Sequence, residues 1–202
     1  LNIGSVASPD FGDPIDVLAG EPGSESAIDV GVRATVDMVD WNNDGRNDLV
    51  VGAYDGKVRV FLNDADTGSP ELRAEILVQD AGEDLLVAKK RASVAVYDLD
   101  GDTRKDLLLG DTEGQLLFYR NVGTDSAPAF DGFELIAAAG QAIDLPGTPR
   151  SRPFVGDLNR DGKPDLLVGA QDGSIRLYTG LSWQTAQEEV GVAGAIGGET
   201  VF

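Results

Sequence analysis

The chain has 202 residues and 42% hydrophobic content, enough for a folded domain with a buried core, and its 35 acidic against 16 basic residues give a formal charge of −19. That charge repels nucleic acid and anionic bilayers and makes cations the natural partners. Histidine and cysteine are both absent, which removes disulfides, thiolate and imidazole metal sites, and the Ser/His and Cys/His nucleophile systems.

No apolar run approaches the roughly 20 residues that a membrane helix needs, so membrane insertion is not expected, and any export signal is expected upstream or already removed. Residues 1–20 open out of phase with the repeating unit of the later chain. Leu1-Asn2-Ile3-Gly4-Ser5 with Pro9 and Phe11 matches Arg120-Asn121-Val122-Gly123-Thr124 with Pro128 and Phe130. A stretch near Pro14 to Leu18 is therefore predicted to be an outer strand of a preceding or partner unit.

Residues 21–80 form the first full unit. A short apolar run, Val36 to Val39, leads directly into Asp40-Trp41-Asn42-Asn43-Asp44-Gly45-Arg46-Asn47-Asp48, and Leu49-Val50-Val51-Gly52 comes next. Asp55-Gly56 then separates two apolar runs, a hairpin signal for which a primed turn is predicted. Ile76 to Val78 supplies a fourth strand, and Gly82 begins a linker.

Residues 81–140 repeat the unit. Val94 to Tyr97 precedes the loop Asp98 to Asp106, followed by Leu107-Leu108-Leu109-Gly110, the turn Glu113-Gly114, and a fourth strand at Phe133 to Ile136 with Gly140 in the next linker. Residues 141–180 repeat it again, with Phe154-Val155, the loop Asp157 to Asp165, Leu166-Leu167-Val168-Gly169 and Asp172-Gly173, but without a clear outer strand before Thr179. The loop offsets are 58 and 59 residues. Four antiparallel strands per unit of this length make a β-propeller blade, so the fold class is all-β with three four-stranded repeats. Residues 181–202 are Gly- and Ala-rich and lack basic residues, and read as a linker, a final strand or a docking segment.

Each loop places Asp or Asn at positions 1, 3, 5 and 9: Asp40, Asn42, Asp44 and Asp48; Asp98, Asp100, Asp102 and Asp106; Asp157, Asn159, Asp161 and Asp165. With a backbone carbonyl from position 7 (Arg46, Arg104 and Lys163, their side chains expected to point away), this is an all-oxygen donor set suited to Ca2+. Three calcium ions per chain are expected. An EF-hand would need a bidentate Glu at position 12, where Val51, Leu109 and Val168 stand instead. Metal-free Asx turns are the alternative, yet three copies in one register, each gathering three or four mutually repelling carboxylates, favour a metal. Thr103 occupies the position of Gly45 and Gly162. If that position is left-handed, the β-branched residue costs about 1–2 kcal/mol and distorts the second site.

Trp41 aligns with Leu99 and Leu158 and reads as an apolar filler between blades, whereas Tyr54 aligns with Thr112 and Gln171 on an exposed turn and is a contact candidate; Trp183 is a further aromatic in the tail. Arg33, Arg91 and Arg150 each stand seven residues before the first loop Asp. They are expected at the innermost strand, on the face away from the loops, where they either gather an anionic ligand or make inter-blade ion pairs or hydrogen bonds to backbone carbonyls.

The loops, the adjoining Leu-Val-Val-Gly-Ala and Leu-Leu-Val-Gly-Ala strands, and the Asn-Val-Gly-Thr connector with its Pro and Phe resemble the FG-GAP or VCBS repeat family over residues 1 to about 180. These are the calcium-bearing propeller blades of integrin α chains and many bacterial surface proteins. The resemblance implies a secreted, cell-surface or periplasmic module for adhesion, protein or glycan binding, or scaffolding. Some relatives are lectins, and certain polysaccharide lyases share the architecture, so a carbohydrate-active propeller is the alternative to a non-catalytic one. Propellers typically need four to eight blades, so three are expected to close with a partner chain, a second copy or further blades.

Overall fold

The computed structural model describes residues 5, 7–8, 10, 12–138, 140–145 and 150–179, and the backbone of 184–185. Among them there are strands and turns but no helix, and hence no helix long and apolar enough to cross a membrane. The longer strands form where β-branched, leucine-rich or aromatic runs are bounded by Asp, Asn or Gly. In chain order they are β1 (Leu18–Ala19), β2 (Ser26–Ala27), β3 (Thr35–Val39), β4 (Asp48–Gly52), β5 (Val58–Phe61), β6 (Ile76–Leu77), β7 (Gln79–Asp80) and β8 (Glu83–Asp84). Next come β9 (Ser93–Tyr97), β10 (Asp106–Gly110), β11 (Leu116–Tyr119), β12 (Glu134–Ala138), β13 (Gln141–Ala142), β14 (Arg152–Gly156), β15 (Asp165–Gly169), β16 (Ile175–Tyr178) and β17 (Gln184–Thr185).

The repeat fixes the register of three antiparallel sheets. The first runs β3-β4-β5-β6, the second β9-β10-β11-β12 with β13 on its edge, and the third β14-β15-β16. Equivalent pairs recur: Thr35 faces Gly52, Ser93 faces Gly110 and Arg152 faces Gly169. No sheet closes on itself among the described residues. The tail contributes β17, which pairs antiparallel with β12.

Both faces of each strand carry apolar residues because sheet packs on sheet. Val50, Val58 and Val60 of the first sheet meet Val94, Leu107, Leu109 and Tyr119 of the second. The opposite face of the second, with Ala95, Leu108, Leu116 and Phe118, meets Leu166, Val168 and Tyr178 of the third. Trp41 packs against the first of these cores, its ring centroid 6.4 Å from that of Phe130.

Among the described residues, the end sheets are covered only in part on one side. Val36 is 64% exposed where its counterpart Val94 is 6%, and Ile175 is 65% exposed where Leu116 is fully buried. Phe154, at the position of the buried Ala95, is likewise exposed.

The predicted outer strand near Pro14 to Leu18 has a structural counterpart in each of the first two full units. The Ile28 amide donates to the Val17 carbonyl at 2.9 Å, as Leu85 does to Val78 at 2.8 Å and Ile143 to Ile136 at 2.7 Å. β1, however, pairs with β2 and makes one parallel bridge, Ala19 to Leu72, and has no inner strands of its own among the described residues. Ala19, Ile28 and Val30 instead cover Val51 and Phe61 of the first sheet.

Two turn expectations are corrected. At Asp55-Gly56 only the glycine is left-handed (φ 86°), and its amide donates to the Ala53 carbonyl at 3.1 Å; this is a type I turn followed by a glycine bulge, not a primed turn. The primed geometry occurs instead between β7 and β8, where Ala81 and Gly82 both have positive φ (52° and 85°). Gly82 and Gly140 are thus hairpin turn residues rather than linkers, since β12 likewise pairs β13 across Gly140.

Candidate metal centres

Each loop joins the innermost strand of its sheet to the next strand, β3 to β4, β9 to β10 and β14 to β15. The loop is shaped by its own acidic side chains, which accept backbone N–H bonds that no strand partner provides. In the first loop, Asp40 Oδ1 accepts from the Asp44 amide (3.0 Å) and Oδ2 from Gly45 (2.8 Å). Asn42 Oδ1 also accepts from Asp44, and Asp44 Oδ1 from Arg46, both at 3.0 Å. The third loop repeats this with Asp157, Asn159 and Asp161 accepting from Asp161, Gly162 and Lys163 at 2.9–3.0 Å. The second does so with Asp98, Asp100 and Asp102 accepting from Asp102, Thr103 and Arg104 at 2.9–3.1 Å.

The sixth loop position is left-handed in all three loops, with φ of 89° at Gly45, 72° at Thr103 and 83° at Gly162. Thr103 therefore adopts the strained conformation and keeps the amide bond to Asp98 that its glycine sisters make to Asp40 and Asp157.

The ninth-position aspartates are buried and tie the loop shut. Asp48 Oδ2 accepts from Trp41 and Oδ1 from the Asn63 amide, both at 2.8 Å. Asp106 accepts from Leu99 at 2.9 Å and from Asn121 at 2.8 Å, and Asp165 from Leu158 at 2.9 Å. In the second loop the carboxylates of Asp98, Asp100 and Asp106 come within 4.8 Å of one another. Burial pushes the Asp106 carboxyl up to about 6, and the neighbouring Asp102 and Asp98 add to the rise against its two N–H bonds. Burial raises Asp48 in the same sense, beside Asp44 and Asp40. An oxygen-only pocket that gathers this much negative charge, offset among these three only by the ion pair of Asp100 with Arg120, fits a hard divalent cation.

Asp102 stands apart from that cluster, because Arg104 turns back onto it, with Nε 2.7 Å from Oδ2, and holds its carboxyl below the usual range. Arg46 likewise folds onto Asp44 (2.7 Å) and also reaches Asp66 (3.0 Å). The expectation that these side chains point away is therefore corrected: each guanidinium is drawn to the excess of carboxylates beside it.

Asn63 and Asn121 are functional neighbours that the loop pattern alone does not reveal. Their amides hold Asp48 and Asp106, and the Asn121 Oδ1 accepts from Gly123 (2.9 Å) and Ala129 (3.1 Å) to shape the connector. Their shared place after the third strand is the signal that finds them. A further link joins the first two loops, since Asn43 donates to Asp125 and Lys105 donates to Asn43, both at 2.6 Å.

Arg33, Arg91 and Arg150 precede β3, β9 and β14 by two residues, at the ends remote from the loops. Arg91 is buried, Arg33 exposed and Arg150 intermediate. Tyr54 lies at the same end and is half-buried, with the Arg33 guanidinium carbon 5.3 Å and Lys90 Nζ 5.7 Å from its ring centroid. Trp183 lies outside the described residues.

No curated protein matches the chain. The FG-GAP-like repeat profile matches residues 40–109 and 98–168, each span running from one acidic loop through the next. Those spans cover more than half of the 202 residues and coincide with the sheet-and-loop unit described above, and the chain belongs to the FG-GAP-like repeat family.

Proposed function

We propose that the chain is a calcium-stabilised, non-catalytic binding or scaffold module of an extracellular, cell-surface or periplasmic protein, with one Ca2+ at each acidic loop. The observation that carries this reading is the convergence of Asp98, Asp100 and Asp106 within 4.8 Å at the end of a repeated strand pair, with the same backbone net in its two sister loops. Loops of this kind suit compartments with calcium near 1 mM, where modest affinity suffices. At a hundredfold excess over Kd each site adds about 2.7 kcal/mol, and three together are comparable with a domain's whole stability.

In this reading the three sheets are blades of a propeller, and further blades complete it. The support is the contrast between the middle sheet, packed on both faces, and the end sheets, which expose Val36 and Met38 on one side and Phe154 and Ile175 on the other. A blade of the same kind fits each open face, as the two existing sheet contacts do.

Thermal unfolding in 1 mM calcium chloride and in a chelator tests the proposal. A melting temperature at least 10 °C higher with calcium is expected, and identical melting curves contradict it. Incubation with uronate polysaccharides checks the non-catalytic part: steady release of unsaturated products, monitored by absorbance, would overturn it.

A further inference from the structure

The inner-strand ends remote from the loops carry a second feature that the calcium reading leaves unused. Arg33, Arg91 and Arg150 share one place in the repeat and one unusual conformation, with φ of 61°, 62° and 79°. Left-handed backbone is costly for a long side chain, yet none of the three positions is glycine or asparagine. In the second repeat the arginine is 1% exposed, and its Nε and Nη1 are buried with no hydrogen-bond partner among the described residues. A buried guanidinium left without an acceptor is among the most unfavourable arrangements a fold tolerates.

The surroundings add cations rather than relieving it. After burial itself, the charges that lower the Arg91 pKa are those of Arg152, Arg150 and Arg33. The inner strands beside these residues lie against one another: Thr35 Oγ1 of β3 donates to the Ala92 carbonyl at 3.0 Å, and β9 packs on β14, where the Asp111 amide just past β10 also donates to Ser151 Oγ at 3.0 Å. Backbone bonds also fix the end, with the Arg91 amide on the Tyr54 carbonyl at 3.0 Å. In a chain with a net charge of −19, three further arginines thus lie within electrostatic reach of the buried Arg91.

We propose that Arg33, Arg91, Arg150 and Arg152 form a binding site for one tetrahedral oxyanion, a sulfate or phosphate group, held between the inner strands. Guanidinium forks pair with such oxygens in parallel hydrogen bonds. A tetrahedral dianion offers acceptors in several directions, which suits donors arriving from three neighbouring strands, whereas a lone carboxylate presents one plane. The acidic remainder of the surface repels a long polyanion, so the occupant is a small ion or the anionic end of a neutral molecule. The site is independent of the calcium reading, because the loops lie at the other end of the strands.

Calorimetric titration of the calcium-loaded chain with sodium sulfate, at ionic strength held constant with chloride, tests the site. One sulfate per chain is expected, with affinity falling at least tenfold in Arg91→Met and in Arg150→Met and unchanged in Arg73→Met, whose side chain pairs with Asp64 on the surface. In sulfate-free buffer Arg91→Met is expected to melt higher than the parent chain and to lose the rise that sulfate gives the parent. A purely structural arginine would behave in the opposite way. Glucose 6-sulfate run in parallel separates the sources: equal affinity indicates the free ion, and tighter binding indicates a sulfated sugar. No sulfate uptake by the parent chain up to 10 mM, or equal uptake by Arg91→Met and Arg150→Met, overturns the proposal.

Discussion

Gly52 lies against the carbonyl of Ala92, so close that a Cβ on the glycine would strike the oxygen. The relation repeats between Gly110 and Ser151, where the next inner strand again presses on the end of the preceding sheet's second strand. At Gly169 it is missing: the nearest atoms are those of Arg152 in its own sheet, at 4.0 Å. Gly52→Ala and Gly110→Ala are therefore expected to cost about 1–3 kcal/mol each by overpacking. Gly169→Ala is expected to stay within about 0.5 kcal/mol of the parent. Urea denaturation of the three variants checks the contrast, and equal losses at all three would remove the sheet-contact explanation of the repeated glycine.

The same asymmetry bears on assembly. If blades cover the open faces in solution, the chain associates, and Phe154→Glu or Met38→Glu weakens that association while leaving the two internal cores intact. Light scattering across a concentration series reads the mass directly. A stable monomer at all concentrations, indifferent to both changes, would show that the exposed faces of this chain recruit no second copy.

Thr103 is the one non-glycine at the left-handed sixth loop position. Thr103→Gly is expected to stabilise the chain by about 1 kcal/mol, the relief of left-handed strain less the added freedom of the unfolded glycine. Calcium affinity at the second loop should rise with it. A destabilised variant would mean that the hydroxyl or methyl makes a contribution larger than the strain.

Asn121 is fully buried and joins the Asp106 carboxylate to the adjoining connector. Asn121→Ala leaves the Gly123 and Ala129 amides without their side-chain acceptor and is expected to cost about 1–3 kcal/mol. Calcium affinity at the second loop should weaken while the other two are unaffected, as read by titration of the variant.

The sheets were legible because the period of 58 and 59 residues presents each strand three times in one register, so chance apolar runs were filtered out. The loops were legible for the same reason. What escaped depended on contacts that neither the repeat period nor the apolar pattern announces. The Asn43–Asp125–Lys105 link joins two loops through Asp125, which is 82 residues from Asn43. The β7–β8 hairpin pairs polar residues, Gln79 with Asp84 and Asp80 with Glu83, so no hydrophobic alternation announces it. The inward turn of Arg46 and Arg104 reflects local charge balance, which position in a motif does not encode.

Direct counting of bound calcium tests the central claim most directly. Calorimetric titration of the chelator-stripped chain should give three ions per chain, falling to two in each of Asp44→Ala, Asp102→Ala and Asp161→Ala, with the melting temperature falling alongside. A parent chain that takes up no calcium at 1 mM, or whose uptake is unaltered by all three substitutions, would contradict the account.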